Sequence, residues 1–255
     1  MNRIKLSLIS IRSVCAVWGI LLLSISTTYA ADPLTSDQKK VFEEVIRDYL
    51  IKNPDIILKS MEKLRERERL SQRQAAIEKL TSNKAIIFKH PMTPTSGNMN
   101  ADVTLVEFFD YQCGYCKQVA RSLVKLIQND KKLRVVWKEL PILGPNSRFA
   151  AAAAMAAKKQ GKYLTYHVAL MKNRGQLSPE VIMRTARKVG LDVEKLQKDM
   201  EDPKINAYLD ETINLAQSLG IRSIPAFIIG KRIIPGAIGL DQLKSYISEE
   251  RKPRS

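Results

Sequence analysis

The chain has 255 residues, a formal net charge of +16 and only three cysteines. So few cysteines exclude a small disulfide-stapled scaffold. The positive residues are interleaved with acids, as in Arg65-Glu66-Arg67-Glu68-Arg69, and no basic run carries interleaved aromatics, so the charge reads as a solvated basic surface with no nucleic acid as partner.

Arg3 and Lys5 open the chain, an apolar stretch follows from Leu6 to Ile25 with Arg12 inside it, and Thr28-Tyr29-Ala30-Ala31 supplies small residues where a signal peptidase cuts. This is the layout of a secretory signal peptide over residues 1–30, cleaved after Ala30, and it implies export. An N-terminal membrane anchor is the competing reading, although the apolar run after Arg12 is short for a span. Cleavage removes Arg3, Lys5 and Arg12, lowering the charge to +13, and removes Cys15, leaving Cys113 and Cys116. One closely spaced pair in an oxidising compartment points to reactivity, not structure. The remaining ~225 residues suffice for one core and an appendage.

Residues 31–82 read as a helical stalk. Thr35-Ser36-Asp37 offers N-cap candidates, and Val41, Phe42, Val45, Ile46, Tyr49 and Leu50 form an apolar stripe at helical spacing. Asn53-Pro54-Asp55 ends that helix and starts another, with Asn53 as the expected cap and Pro54 at a tolerated first position. Ile57, Met61 and Leu64, then Leu70, Ile77 and Leu80, continue the pattern, while Arg65–Gln74 is a candidate joint or a solvated helix face. The segment has too little apolar surface to fold alone, so its stripe packs on its own domain or on copies of itself; we favour self-association as a homodimer or homotrimer.

Residues 83–255 are expected to form the catalytic domain. Ala85-Ile86-Ile87-Phe88 reads as a short strand and Pro91–Asn98 as a loop. Val103–Phe109 is a central strand, apolar on both faces, and a helix begins at the cysteines and runs through Val119, Leu123 and Ile127. Arg134–Trp137 is the next strand. A helical block then runs from Ala150 to about Ser218, broken at Gly161, Gly175, Gly190 and Pro203. A hairpin of Ala226–Ile229 and Arg232–Ile234 turns at Gly230-Lys231, and a helix over about 240–250 closes the chain.

Cys113-Gly114-Tyr115-Cys116 lies where the buried strand hands over to a helix. Free N–H groups and the positive dipole end there stabilise a thiolate, which is the attacking species, and two intervening residues let the second sulfur reach the first within one turn. A structural zinc site is the alternative. It needs about four ligands, and His90 and His167 stand at no finger-like spacing. We therefore assign no metal and read both histidines as surface or packing residues.

Val106-Glu107-Phe108-Phe109-Asp110-Tyr111-Gln112-Cys113-Gly114-Tyr115-Cys116-Lys117 closely resembles the active-site segment of the DsbA-like thioredoxin-fold proteins of bacterial periplasms. Gly220-Ile221-Arg222-Ser223-Ile224-Pro225-Ala226-Phe227 resembles their cis-proline loop. The resemblance covers about residues 84–250 and implies an α/β thioredoxin fold with an inserted helical subdomain, here preceded by the helical extension. It also implies that Cys113 is the exposed nucleophile and Cys116 the buried resolving thiol. Pro225 would be cis, with Ile224, Gly114 and Tyr115 meeting substrate. Glu107 matches the family's buried acid, which could take a proton from Cys116; a solvated strand residue is the alternative. Two departures bear on the redox poise: Ile224 stands where some relatives have Thr, and Gly114-Tyr115 replaces the Pro-His of strongly oxidising members. The same Gly-Tyr pair occurs in the periplasmic isomerase DsbC. The stalk resembles the N-terminal stalks of an outer-membrane-antigen-like group that oligomerises and shuffles disulfides.

These resemblances imply a periplasmic disulfide isomerase with some oxidase capacity and no cofactor. Its partners would be exported cysteine-containing clients and a membrane redox protein of DsbB or DsbD type. The alternatives are a dedicated oxidase and an envelope-associated holdase that uses the fold only as scaffold.

Overall fold

The computed structural model describes residues 34–252, so the signal-peptide reading lies outside the described residues. The described residues divide into two compact units inside one long helix, the first ending at Met61 and the second beginning at Glu62.

In the first unit, helix α1 spans Ser36–Lys52, and Thr35 closes a reciprocal capping box with Gln38. Among the described residues nothing covers its apolar stripe: Val41, Phe42, Val45, Ile46 and Tyr49 are all exposed, and no α1 residue is buried. The Asn53 amide donates back to the Tyr49 carbonyl (2.9 Å), so Asn53 closes α1 and does not cap the next helix as expected. Helix α2, Asp55–Ser82, begins after Pro54.

The second unit takes the rest of α2, which runs unbroken through Arg65–Gln74 with those side chains exposed, so that stretch is a solvated helix face. Leu80 near its end is buried. Lys84–Lys89 then forms a short helix, α3, where a strand was expected. An apolar run of four residues does not distinguish the two by periodicity. Here the backbone bond is local, Ile87 N–H to the Asn83 carbonyl, and only Ile87 is fully buried. The outer sheet position belongs instead to β1, Thr95–Gly97, inside the expected loop. Gly97 sits at φ +88, and a Cβ there would run into the Leu133 carbonyl, which is why this short edge strand needs glycine.

Strand β2 (Val103–Phe109), helix α4 (Gly114–Asn129) and strand β3 (Leu133–Glu139) follow as expected. The inserted block is five helices: α5 (Pro145–Lys159), α6 (Tyr163–Met171), α7 (Pro179–Lys188), α8 (Val193–Met200) and α9 (Pro203–Ser218). The near-unbroken alanine run of α5 is buried along its whole length, which lets α6, α7, α8 and α9 all pack against it. Strands β4 (Ala226–Ile229) and β5 (Arg232–Pro235) and helix α10 (Leu240–Arg251) complete the chain.

The sheet order is β1-β3-β2-β4-β5, with β2 parallel to β3 and the other pairs antiparallel. This is the α/β DsbA-like thioredoxin fold with a helical insert, preceded by N-terminal helices. Alternation along β2 sends Leu105 and Phe109 to the cluster beneath α4 and the insert, and Val106 and Phe108 to a second cluster with Leu80, Ile87 and Leu215. Glu107 shares the first face, so burial of β2 on both sides carries a carboxyl into the core below α4.

Candidate active site

The site is built where β2 stops. Asp110, buried at the strand end, has all of its acceptor positions engaged. Its Oδ1 accepts from the Gln112 backbone N–H (2.8 Å) and the Ser147 hydroxyl (2.7 Å), and its Oδ2 accepts from the N–H groups of Ile142 (2.9 Å) and Leu143 (3.0 Å). One carboxylate thus ties the end of β2 to the loop after β3 and to the start of α5. The chain then turns back, the Cys113 N–H donating to the Asp110 carbonyl (3.1 Å).

Cys113 is the N-cap of α4, in extended conformation, and its Sγ accepts from the Cys116 N–H at 3.3 Å. The sulfur stands where a serine or aspartate oxygen ordinarily satisfies the first turn. Both cysteines are free thiols and both are buried; Cys113, expected to be exposed, keeps only 7% exposure because its sulfur is folded back over the first turn of α4. The Cys116 thiol donates to Cys113, and with the backbone N–H groups of Cys116 and Tyr115 this holds Cys113 down to about 6, against opposing burial and the Asp110 charge. The same interaction pushes Cys116 up, as do its burial and the nearby Glu107. The pair is therefore strongly unequal: one sulfur carries charge at neutral pH and the other holds its proton.

Glu107 is completely buried, and neither carboxyl oxygen has a hydrogen-bond partner among the described residues. Burial raises it well above the usual carboxylate range, and the Cys113 and Glu139 charges add to this. The burial expected from sequence is what the fold shows. Ile224–Pro225 is a cis peptide, and the Ile224 carbonyl lies 3.7 Å from Cys113 Sγ. Gly114 and Tyr115 open α4, with the Tyr115 side chain exposed at the rim. All seven sequence-derived residues therefore converge on one end of the β2–α4 junction.

Sequence reasoning missed the second buried acid. Glu139, at the end of β3, accepts from the hydroxyls of Tyr111 (2.9 Å) and Tyr163 (2.7 Å) on Oε1, while Oε2 has no partner among the described residues. Burial drives it up to about 8, and the two tyrosine bonds offset only part of that. His167 Nδ1 lies 3.1 Å from the Tyr111 hydroxyl, and Phe109, Tyr111, Trp137 and Tyr163 pack around its ring. Burial pulls His167 down to about 3, so it is neutral, a packing residue as expected. Glu139 lies two residues beyond Trp137, on the face that carries Glu107 one strand over, a relation set by the β2–β3 register and carried by no local sequence signal.

Comparison with known proteins follows the same outline. The DSBA-like thioredoxin domain family matches residues 104–248, and the Copper resistance protein ScsC N-terminal domain family matches residues 38–69. A crystal structure of a thioredoxin-like oxidoreductase from Silicibacter pomeroyi is 42% identical, covering 68% of this chain and 99% of that one, with a TM-score of 0.65. A linker-deletion mutant of Proteus mirabilis ScsC is 26% identical, covering 87% and 98%, with a TM-score of 0.66. A periplasmic thioredoxin-like protein from Salmonella enterica serovar Typhimurium is 31% identical, covering 66% and 94%, with a TM-score of 0.61. Among curated proteins, Na(+)/H(+) antiporter NhaA 3 of Salinispora tropica matches at 27% identity over 153 residues, 59% of this chain, and the chain spans about a quarter of the length of such relatives.

Two predictions rest on these charges. In the dithiol form, thiolate absorbance should show a single ionisation with a midpoint of about 6. A midpoint near the ordinary thiol value of about 8.5 would refute the capping account. Because the folded value is the lower one, the reduced protein gains stability as pH rises from about 6 through the unfolded thiol's range and loses it as pH falls back. Glu139 acts with the opposite sign. Between the unfolded carboxylate value and about 8 the native chain keeps a proton that the unfolded chain releases, so stability falls as pH rises. Urea unfolding of the disulfide form, where the thiol contribution is absent, should show Glu139→Gln removing a pH-dependent loss on the order of a few kcal/mol. An unchanged slope would show that Glu139 is ionised in the fold.

Proposed function

The chain belongs to the DSBA-like thioredoxin family, and from that premise we propose that it is a periplasmic thiol:disulfide interchange protein that isomerises and forms disulfides in exported proteins. The observation that carries this reading is the unequal cysteine pair: a capped Cys113 sulfur with a fully buried Cys116 behind it.

As isomerase, the Cys113 thiolate attacks a client disulfide; the Cys113–client S–S bond forms as the client S–S bond breaks, and the released client thiolate is free to attack another client cystine. When no such rearrangement frees Cys113, Cys116 resolves the adduct. Formation of the mixed disulfide discharges Cys113 and so removes one of the causes that raise Glu107. Glu107 then releases its own proton to water and, as a carboxylate, takes the Cys116 proton; the Cys116 thiolate attacks Cys113 Sγ, the Cys113–client bond breaks, and the client thiolate leaves and is protonated by water. As oxidase the sequence reverses. A client thiolate attacks the Cys113–Cys116 disulfide, Cys116 leaves and is protonated, and a second client thiolate releases Cys113. The Ile224 carbonyl, 3.7 Å from Cys113 Sγ, lies where client backbone would pass, and Pro225, Gly114 and Tyr115 complete that rim. A membrane partner of DsbD type would keep the pair reduced.

The dedicated-oxidase reading, with a DsbB-type partner, draws on one observation. A Cys113 thiolate stabilised to about 6 favours the dithiol and so makes the disulfide more oxidising.

The stalk supports the isomerase reading. The α1 stripe of Val41, Phe42, Val45, Ile46 and Tyr49, exposed along its length, is suited to a second copy of this chain, and the ScsC N-terminal family match lies over it. Several active sites around one client raise the effective concentration of thiolate at its wrong disulfides. Phe42→Glu with Ile46→Glu should reduce the assembly to single chains in sedimentation. It should also slow recovery of a scrambled multi-disulfide substrate by about tenfold or more, while oxidation of a dithiol peptide changes by less than about twofold. Dissociation without loss of unscrambling would refute the stalk's role, and an unchanged assembly would refute its interface.

A further inference from the structure

A groove of about 690 Å³ runs beside the cysteines between α4 and α6, beginning at Gly114, the residue after Cys113. Its walls carry Lys117, Arg121 and Lys125 from α4 and Lys172 and Arg174 from the end of α6 and the loop beyond it. No aspartate or glutamate lines it. None of these five cations forms a salt bridge among the described residues. The spacing of Lys117, Arg121 and Lys125 sets three charges one above another on a single helix face. Between the walls Val124 and Met171 give an apolar floor.

We propose that this groove holds an acidic, extended segment of the client chain next to the cysteine being exchanged. The occupant follows from charge complementarity. Five cations with no salt bridge among the described residues, over an apolar floor, suit carboxylates alternating with apolar side chains, and an extended strand presents that alternation every second residue. From Gly114 to Gln128 the α4 wall is roughly 20 Å long at 1.5 Å per residue, which matches about six extended residues. The near end is close enough to the active site for Cys113 to act electrostatically on Lys117. A client held there delivers its cysteine to Cys113 along a fixed direction, and clients with acidic flanks react first.

The proposal names the substrate class of the thiol-exchange site and rests on that reading, so binding and exchange are measured separately. A labelled six-residue Asp/Glu-containing peptide with serine in place of cysteine is titrated against the full chain, beside its Asn/Gln counterpart. The acidic peptide should bind about tenfold more tightly at low salt, and the difference should shrink to about twofold in roughly 0.5 M salt. It should shrink equally in the exposed-site variant Arg121→Gln/Lys125→Gln/Lys172→Gln. Equal binding of the two peptides by the wild-type chain overturns the proposal, as does a preference that survives in the variant. Sedimentation with phosphatidylglycerol vesicles, lost in the variant and unaccompanied by any peptide preference, overturns it in favour of a lipid surface. If the preference holds but a cysteine-containing version fails to exchange, the groove stands and the exchange reading falls.

Discussion

The arrangement depends on one buried carboxylate. Asp110 accepts four hydrogen bonds from three separate segments, and in doing so fixes where β2 ends and in which direction the chain leaves the sheet. A carboxylate with four donors is stable in a core that would otherwise reject it. The consequence is positional: the next turn places the Cys113 sulfur at the cap of α4, where a backbone N–H meets it. Asp110 also opposes the thiolate electrostatically. The fold therefore accepts some repulsion at Cys113 in return for its placement.

Below that junction the sheet buries two acids. Glu107 and Glu139 project from neighbouring strands onto one face, each buried and each raised by burial. Glu139 is steadied by two tyrosine hydroxyls, whereas Glu107 has no such partners among the described residues. Unpartnered buried carboxyls are costly and are retained where proton transfer needs a group poised near the thiol range. Burial raises Glu107, and the charges of Cys113 and Glu139 raise it further. Phe109, Trp137 and Tyr163 pack around His167 on the side of the insert.

Much of this was legible in the chain itself. Strand β2 was readable because burial on both faces leaves an unbroken apolar run, and α4 because Val119 and Leu123 recur at helical spacing behind the cysteines. Glu107 stood out as an acid between apolar neighbours. What was not legible depended on long-range pairing. Ala85–Phe88 has the composition of a strand, but the position beside β3 is taken by Thr95–Gly97, and the segment coils locally on Asn83. Asn53 could cap either helix at its break, and only the geometry at Tyr49 decides. Glu139 gains its meaning from parallel register with β2, which no local window contains. The basic groove was hidden for the same reason: its cations come from two helices some fifty positions apart, and along the chain they read as part of a solvated surface.

The central claim is that the two sulfurs have separate duties, Cys113 meeting the partner and Cys116 closing the reaction. The direct measurement is intact-mass analysis after brief exposure of two single-cysteine variants to a mixed disulfide-forming peptide at neutral pH. Cys116→Ser should accumulate a stable adduct on Cys113, because nothing remains to resolve it. Cys113→Ser should stay unmodified over the same time, because Cys116 is buried and holds its proton. Comparable adduct formation on Cys116 would contradict the account.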